Sequence, residues 1–442
     1  MSRNPMRSPS QPPEATAPEA EKPTFWEATR YWFRLGCISF GGPAGQIAIM
    51  HTDLVERKRW ISEERFLHAL NFCMLLPGPE AQQLATYIGW RLHGTVGGVV
   101  AGTLFVLPAA ILLWALSWLY AAAGSTPAIS AVFYGLQPAV IAIVAAAVLR
   151  IGRTALRNRA MWVVAGGAFA ALFVFKISFI AVIAGAALIG VAGGRWMPRL
   201  FVPKRPDPAD NSLSDCEPVN HGRTLRIAAA CLVLWWVPVG VAFLWPEAIF
   251  ASLGVFFSKA ALVTFGGAYA VLPFVAQQAV EHYHWLSASQ MATGLGLAET
   301  TPGPLILVLE FVGFLAAWQH PGGLSPLAAG TLGAAVTLWA TFVPSFLFVL
   351  AGAPYMERLR GSRALGAALA TITAAVAGII LNLAVWFAVH VIFPAPHRID
   401  YFALVLATVF FAGIWKGRWP VIPVVAASIV LGLAARFLLG IA

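Results

Sequence analysis

Arg34 stands seven residues ahead of Gly41 in a Phe40-Gly41-Gly42 triplet, and Lys259 stands seven ahead of Gly266 in Phe265-Gly266-Gly267. An ionisable side chain within an apolar span is costly and usually functional. Two cations related by a twofold axis suit a divalent oxyanion; snorkelling to the headgroups is the alternative for each. Around them lie Ser39, Gln46, Gln82 and Gln83, and in the second set Thr264, Thr300 and Thr301. Their hydroxyls and amides can donate to an oxyanion, although Ser and Thr can equally cap helices. Glu80 opens a helix, where a carboxylate favours the dipole. Glu299 and Glu310 sit in apolar surroundings, and the three acids are candidates for carrying a coupled proton. Leu305 holds the place of Glu80, and Met74 that of Glu299, so the site is expected to be asymmetric.

Other chemistries find little support. His68, His93, His282 and His284 lack metal-ligand spacing, and Cys37, Cys73, Cys216 and Cys231 form neither a CxxC pair nor a disulfide framework. No metal or cofactor is expected. No GxxxxGK[ST] loop is present, so ATP drive would need another subunit.

These residues have to be positioned by broken helices. Residues 66–76 and 80–90 are each half a membrane long as helix, and Pro77-Gly78-Pro79 between them cannot continue one. Basic residues flank the pair on both sides, which describes a hairpin that enters halfway and returns. Residues 26–58 have the same build around Gly41 and Gly42, and the second copy repeats both hairpins around Gly266, Gly267 and Gly303. Irregular backbone at membrane depth is tolerated only where protein or a water-filled cavity satisfies it. Half-helix N-termini there offer free amides to an anion, so four tips meeting near the midplane would make an anion site. A Pro/Gly kink in an ordinary span is the structural alternative.

Duplication underlies this pattern. At one offset of 225 residues Trp60 meets Trp285, Ser62 meets Ser287, and Pro77-Gly78-Pro79 meets Pro302-Gly303-Pro304. Farther on, Ile88-Gly89-Trp90 resembles Val312-Gly313-Phe314 and Val106-Leu107-Pro108 resembles Phe342-Val343-Pro344, with an insertion around residues 320–326. The chain of 442 residues is 59% apolar and 11% charged, and residues 94–149, 311–356 and 364–397 carry no Asp, Glu, Lys or Arg. Each run is long enough to cross a bilayer. The net charge of +10 lies in short loops between spans, which argues against nucleic-acid binding.

Loop cations give the orientation. In the first copy residues 121–127 are uncharged and the next loop holds Arg150, Arg153, Arg157 and Arg159. In the second copy the first of these loops holds Arg358, Arg360 and Arg363, and residues 382–396 have no Lys or Arg. Residues 51–65 carry four cations, whereas residues 276–290 carry none. Cations mark the cytoplasmic side, so the halves should be inverted, with residues 227–246 as the extra span between them.

The expected fold is an all-α polytopic membrane protein of two inverted repeats, each with re-entrant or broken hairpins plus full spans. Residues 1–24 read as a disordered cytoplasmic tail, 25–194 as the first repeat, 195–248 as a basic linker plus connecting helix, and 249–442 as the second repeat. The N-terminus would be cytoplasmic and the C-terminus periplasmic. Glu27 is expected to pair with Arg30 one turn on.

Ser39-Phe-Gly-Gly-Pro-Ala-Gly-Gln46, Leu76-Pro-Gly-Pro-Glu-Ala-Gln-Gln83 and Gly296-Leu-Ala-Glu-Thr-Thr-Pro-Gly-Pro304 resemble the chromate ion transporter (CHR) superfamily, in its long two-domain form. The likeness covers about residues 25–440, with Ala268-Tyr269 where the first half has Pro43-Ala44. It implies export of chromate across a bacterial cytoplasmic membrane, conferring resistance, with sulfate as a similar anion. The residues alone reach only a transporter of a small anion; coupling to protons or to the membrane potential, and a homodimer, are open arrangements. The competing readings are a membrane enzyme acting on a lipid phosphate and a passive anion channel.

Overall fold

The computed structural model describes residues 22–40, 42–124, 126–202, 221–245, 248–355, 363–394 and 398–439. Most of the expected tail, Gly41, Cys216, the middle of the basic linker, and the loop cations Arg358 and Arg360 lie outside the described residues.

The chain is helical. α1 (Phe25–Ile38) and α2 (Gly42–His51) lead into a π turn, and α3 (Glu63–Cys73) and α4 (Glu80–Ala123) follow. Next come α5 (Pro127–Ala155), α6 (Arg159–Phe173), α7 (Phe179–Trp196), the single turn α8 (Pro198–Phe201) and α9 (His221–Ala242). Then α10 (Ala248–Leu262), α11 (Ala268–Gln277), a second π turn, α12 (Ala288–Thr300), α13 (Val308–Gln319) and α14 (Pro326–Gly352) repeat the opening order. α15 (Arg363–Ile392), α16 (Tyr401–Trp415) and α17 (Val421–Leu439) complete the chain. Among the described residues, seven helices are long and apolar enough to cross a membrane, including α9, the expected connecting span.

Residues matched at the 225-residue offset do the same structural work. Ser62 and Ser287 cap α3 and α12, each accepting from the amide three residues on. Both π turns close alike: Lys58 N donates to Asp53 O and Tyr283 N to Gln278 O, each at 2.8 Å. Arg59 and His284 both take φ 53° where the chain reverses, and Trp60 and Trp285 then return their amides to Leu54 O and Ala279 O.

The Ser caps start α3 and α12 earlier than the apolar pattern suggests. α3 stops at Cys73 because the residue before a proline avoids the helical region and the chain must unwind ahead of Pro77. After residue 92 the chain folds back at His93 and Gly94 (φ +66°), and Gly89 packs on Gly97. The second half makes the same reversal through the inserted loop before Pro326, with Gly313 on Gly333. Glu27 does not pair with Arg30: its carboxylate lies 3.3 Å from Lys58 Nζ, because the π turn brings that ammonium beside the start of α1.

The long helices α5 and α15 pack together, and each half lays its last two helices on the other's long helix. α6 and α7 pack on α15, and α16 and α17 pack on α5. Small residues make the approach possible. A Cβ built on Gly432 would lie 2.6 Å from Gly135 Cα, and one on Gly378 would collide with the carbonyl of Ala165. Gly378→Leu should therefore separate α6 from α15 and destabilise the protein by about 1–3 kcal/mol. A lowered melting temperature in detergent is the expected readout, and an unchanged one would contradict the contact.

Candidate functional site

Pro77 and Pro79 offer no amides to a partner, which leaves Gly78 N as the donor of the first Pro-Gly-Pro. It donates to Thr264 O at 2.8 Å, and Gly303 N donates to Ser39 O at 2.8 Å. Ser39 and Thr264 are themselves related by the 225-residue offset, so the two bonds are reciprocal. Each Pro-Gly-Pro is tied to the Gly-Gly break of the other half. Gly78 and Gly303 hold φ of +128° and +99°, open to glycine and strained for other residues. The four expected tips are thus brought together as two cross-half pairs.

Several expected donors are already engaged. The Ser39 hydroxyl donates to Leu35 O and that of Thr264 to Ala260 O, both at 2.6 Å. Thr301 donates to Ala298 O at 3.2 Å and Thr300 to Leu297 O at 2.8 Å. A hydroxyl has one proton, so in this conformation these four do not serve an anion; their helix ends take the proton first. Gln46 is fully buried, and its Nε2 donates to Gly303 O at 2.6 Å and Ser39 O at 3.2 Å, stapling one tip pair. Gln82 Nε2 donates to Thr86 Oγ1 at 3.1 Å, and Gln83 Nε2 to Pro77 O at 2.7 Å. The amide oxygens of all three glutamines are buried without a hydrogen-bond partner. What remains for an anion is the first-turn backbone of α2 and α11, entered through Gly42 (φ +68°) and through Gly266 and Gly267 (φ +79° and +91°).

Arg34 and Lys259 occupy equivalent exposed positions on α1 and α10, shortly before the breaks. Neither is ion-paired among the described residues. They stand clear of the buried tip contacts.

The acids gather at one tip pair. Glu80 Oε1 lies 3.9 Å from the Cβ position of Gly267, and Glu299 accepts from the Tyr269 hydroxyl two residues on. Both carboxylates thereby bear on the start of α11. Tyr269 was not singled out as a site residue from sequence; the signal was its replacement of Ala44 in the repeat. Glu310, in the first turn of α13, is 2% exposed, and its Oε2 has no hydrogen-bond partner. Among the described residues no three His, Cys, Asp or Glu side chains gather as a metal site requires.

Apolar spans, paired helix breaks and a buried polar cluster between two halves define a polytopic membrane protein with an internal polar site. The chromate transporter family model matches residues 26–191 and 251–433, and the chain belongs to that family. It is 32% identical to a chromate transport protein of Cupriavidus metallidurans, over 88% of this chain and 90% of that one. It is 31% identical to a chromate transport protein of Pseudomonas aeruginosa, over 95% of each. An uncharacterized transporter of Methanocaldococcus jannaschii is 26% identical over 91% of this chain and 92% of its own. No solved structure matches the chain.

Replacing Gln46 with Leu would strand the Gly303 carbonyl and unpin one tip pair. The expected cost is about 1–3 kcal/mol, read as a lowered melting temperature, and an unchanged one would contradict the staple.

Proposed function

We propose that the chain is a secondary transporter that exports chromate, and related divalent oxyanions such as sulfate, across the bacterial cytoplasmic membrane by alternating access. The reciprocal hydrogen bonds between Gly78 and Thr264 and between Gly303 and Ser39 carry this reading. They hold two pairs of helix breaks against each other inside the protein, where helix N-termini favour negative charge. The names of the two relatives matched over most of their length supply the anion.

The anion meets Arg34 and Lys259 on its way to the breaks and is held by the backbone at Gly42, Gly266 and Gly267, with Gly78 and Gly303 shaping the tips. Export of two negative charges is favoured by an inside-negative potential, at about 2.3 kcal/mol per charge per 100 mV. The two repeats, residues 25–194 and 249–442, lie in opposite orientations, and residues 195–248 supply the cytoplasmic linker and the crossing that makes inversion possible.

Everted membrane vesicles should accumulate chromate, with sulfate competing. Absence of accumulation under any imposed gradient would overturn the reading, and phosphate release from a lipid would point to an enzyme. Arg34→Ala and Lys259→Ala should each lower transport by about tenfold or more, the scale of a charge-assisted contact, while insertion stays normal. Full activity in both variants would remove these cations from the site. Cysteines placed at Arg153 and Arg363 should react with an impermeant reagent from the same side, and labelling from opposite sides would refute inversion.

A further inference from the structure

α14 carries Thr337, Thr341 and Ser345 one turn apart, each at most 2% exposed and each hydroxyl without a hydrogen-bond partner. Helical hydroxyls ordinarily return to the carbonyl four residues back, as Ser39, Thr264 and Thr371 do. The stripe faces the site. Ser345 Oγ lies 2.5 Å from the Cβ position of Gly78, beside Gln83 Nε2 at 2.7 Å. Thr337 meets Gly313 on α13, and Ala317 meets Gly333. The antiparallel register set by these contacts places Glu310, one turn before Gly313, at the level of Ala340 and Thr341, with Ser345 a turn farther along α14.

The other half shows that folding does not require these groups. Its equivalent positions are Ala101, Phe105 and Ala109, with Thr86 in the place of Glu310. Gly303 is lined by Ala109 Cβ and Leu307 Cδ1 where Gly78 is lined by Ser345 Oγ and Gln83 Nε2. One backbone thus carries Ala101, Phe105 and Ala109 in one half and three hydroxyls in the other. Thr341 stands where the first half has the much larger Phe105. Buried orphan oxygens in such numbers call for ordered water.

We propose that Thr337, Thr341 and Ser345 line a water-holding path by which a proton reaches Glu310 and passes to the acid-bearing tip pair at Gly78 and Gly267. The proton adds to the Glu310 carboxylate, giving the neutral acid, and its departure restores the anion. The proposal rests on the transport reading and supplies its coupling ion. α14 carries no ionisable residue; the elements packed on α13 bring Glu80, Tyr87, Arg91, His93 and Tyr120 on α4, Glu299 on α12 and Lys259 on α10, and His320 follows α13 itself. No ion pair joins Glu310 to any of these among the described residues, and its Oε2 accepts no hydrogen bond.

The test uses the full-length chain in proteoliposomes, with chromate as the probe and a pH-reporting dye inside. A gradient of about one pH unit, worth up to about tenfold for one coupled proton, should change wild-type chromate flux severalfold and move protons with it. Glu310→Gln should abolish both responses while chromate flux driven by membrane potential persists. Should that variant fail to insert, Thr341→Val with Ser345→Ala keeps the packing and should slow the proton signal by about tenfold. An unaltered proton response in Glu310→Gln, or in the double variant, would overturn the path. Chromate flux in the wild type with no pH response would also overturn it, whereas absence of any chromate flux would instead overturn the transport reading.

Discussion

A helix broken in the buried interior has to find partners for its freed backbone groups within the protein, and here the two halves satisfy each other. The amide of Gly78 reaches Thr264 O and that of Gly303 reaches Ser39 O. An amide left without a partner in an apolar medium costs several kcal/mol, so neither Pro-Gly-Pro is stable against its own half alone. The exchange of α6 and α7 for α16 and α17 on the two long helices follows the same logic at larger scale. The reciprocity is that of an isologous contact, made within one chain.

Such a frame fixes the backbone and leaves the side chains free to diverge. Around Gly78 and Gly267 the chain places Ser345, Gln83, Glu80 and the Tyr269–Glu299 pair. At the matching positions around Gly303 and Gly42 it has Ala109, Leu307, Leu305, Ala44 and Met74. One tip pair has accumulated acid while the other keeps only the neutral staple of Gln46. A dianion and an ionised carboxylate repel each other in a medium of low dielectric, so an anion held at Gly266 and Gly267 calls for neutral acids beside it, a condition the Gly42 tip does not impose.

Much of the fold was legible because its signals are local. Uncharged runs marked the spans, and rare residues such as Trp60 and Trp285 made the register visible just past the two π turns. Pro-Gly-Pro announced its own break. The pairing of breaks was not legible, since Gly78 and Thr264 are joined by a hydrogen bond that no periodicity records. The hydroxyls of Ser39 and Thr264 misled in a similar way: composition shows a donor, and only geometry shows that a carbonyl one turn back has claimed it. The i, i+4 spacing of Thr337, Thr341 and Ser345 was open to view, but within an uncharged span it reads as ordinary helix.

The crossed ties have a consequence for what a smaller protein of this kind must be. A chain holding a single repeat would have a Gly-Gly break and a Pro-Gly-Pro with no complementary surfaces of its own. Two such chains, packed as the two halves are, would supply to each other what one half supplies to the other here. The polypeptide linking the halves then does more than join them. By fixing one copy of each per molecule, it allows only one of the two tip pairs to become acidic, a specialisation that two identical subunits sharing a sequence could not acquire.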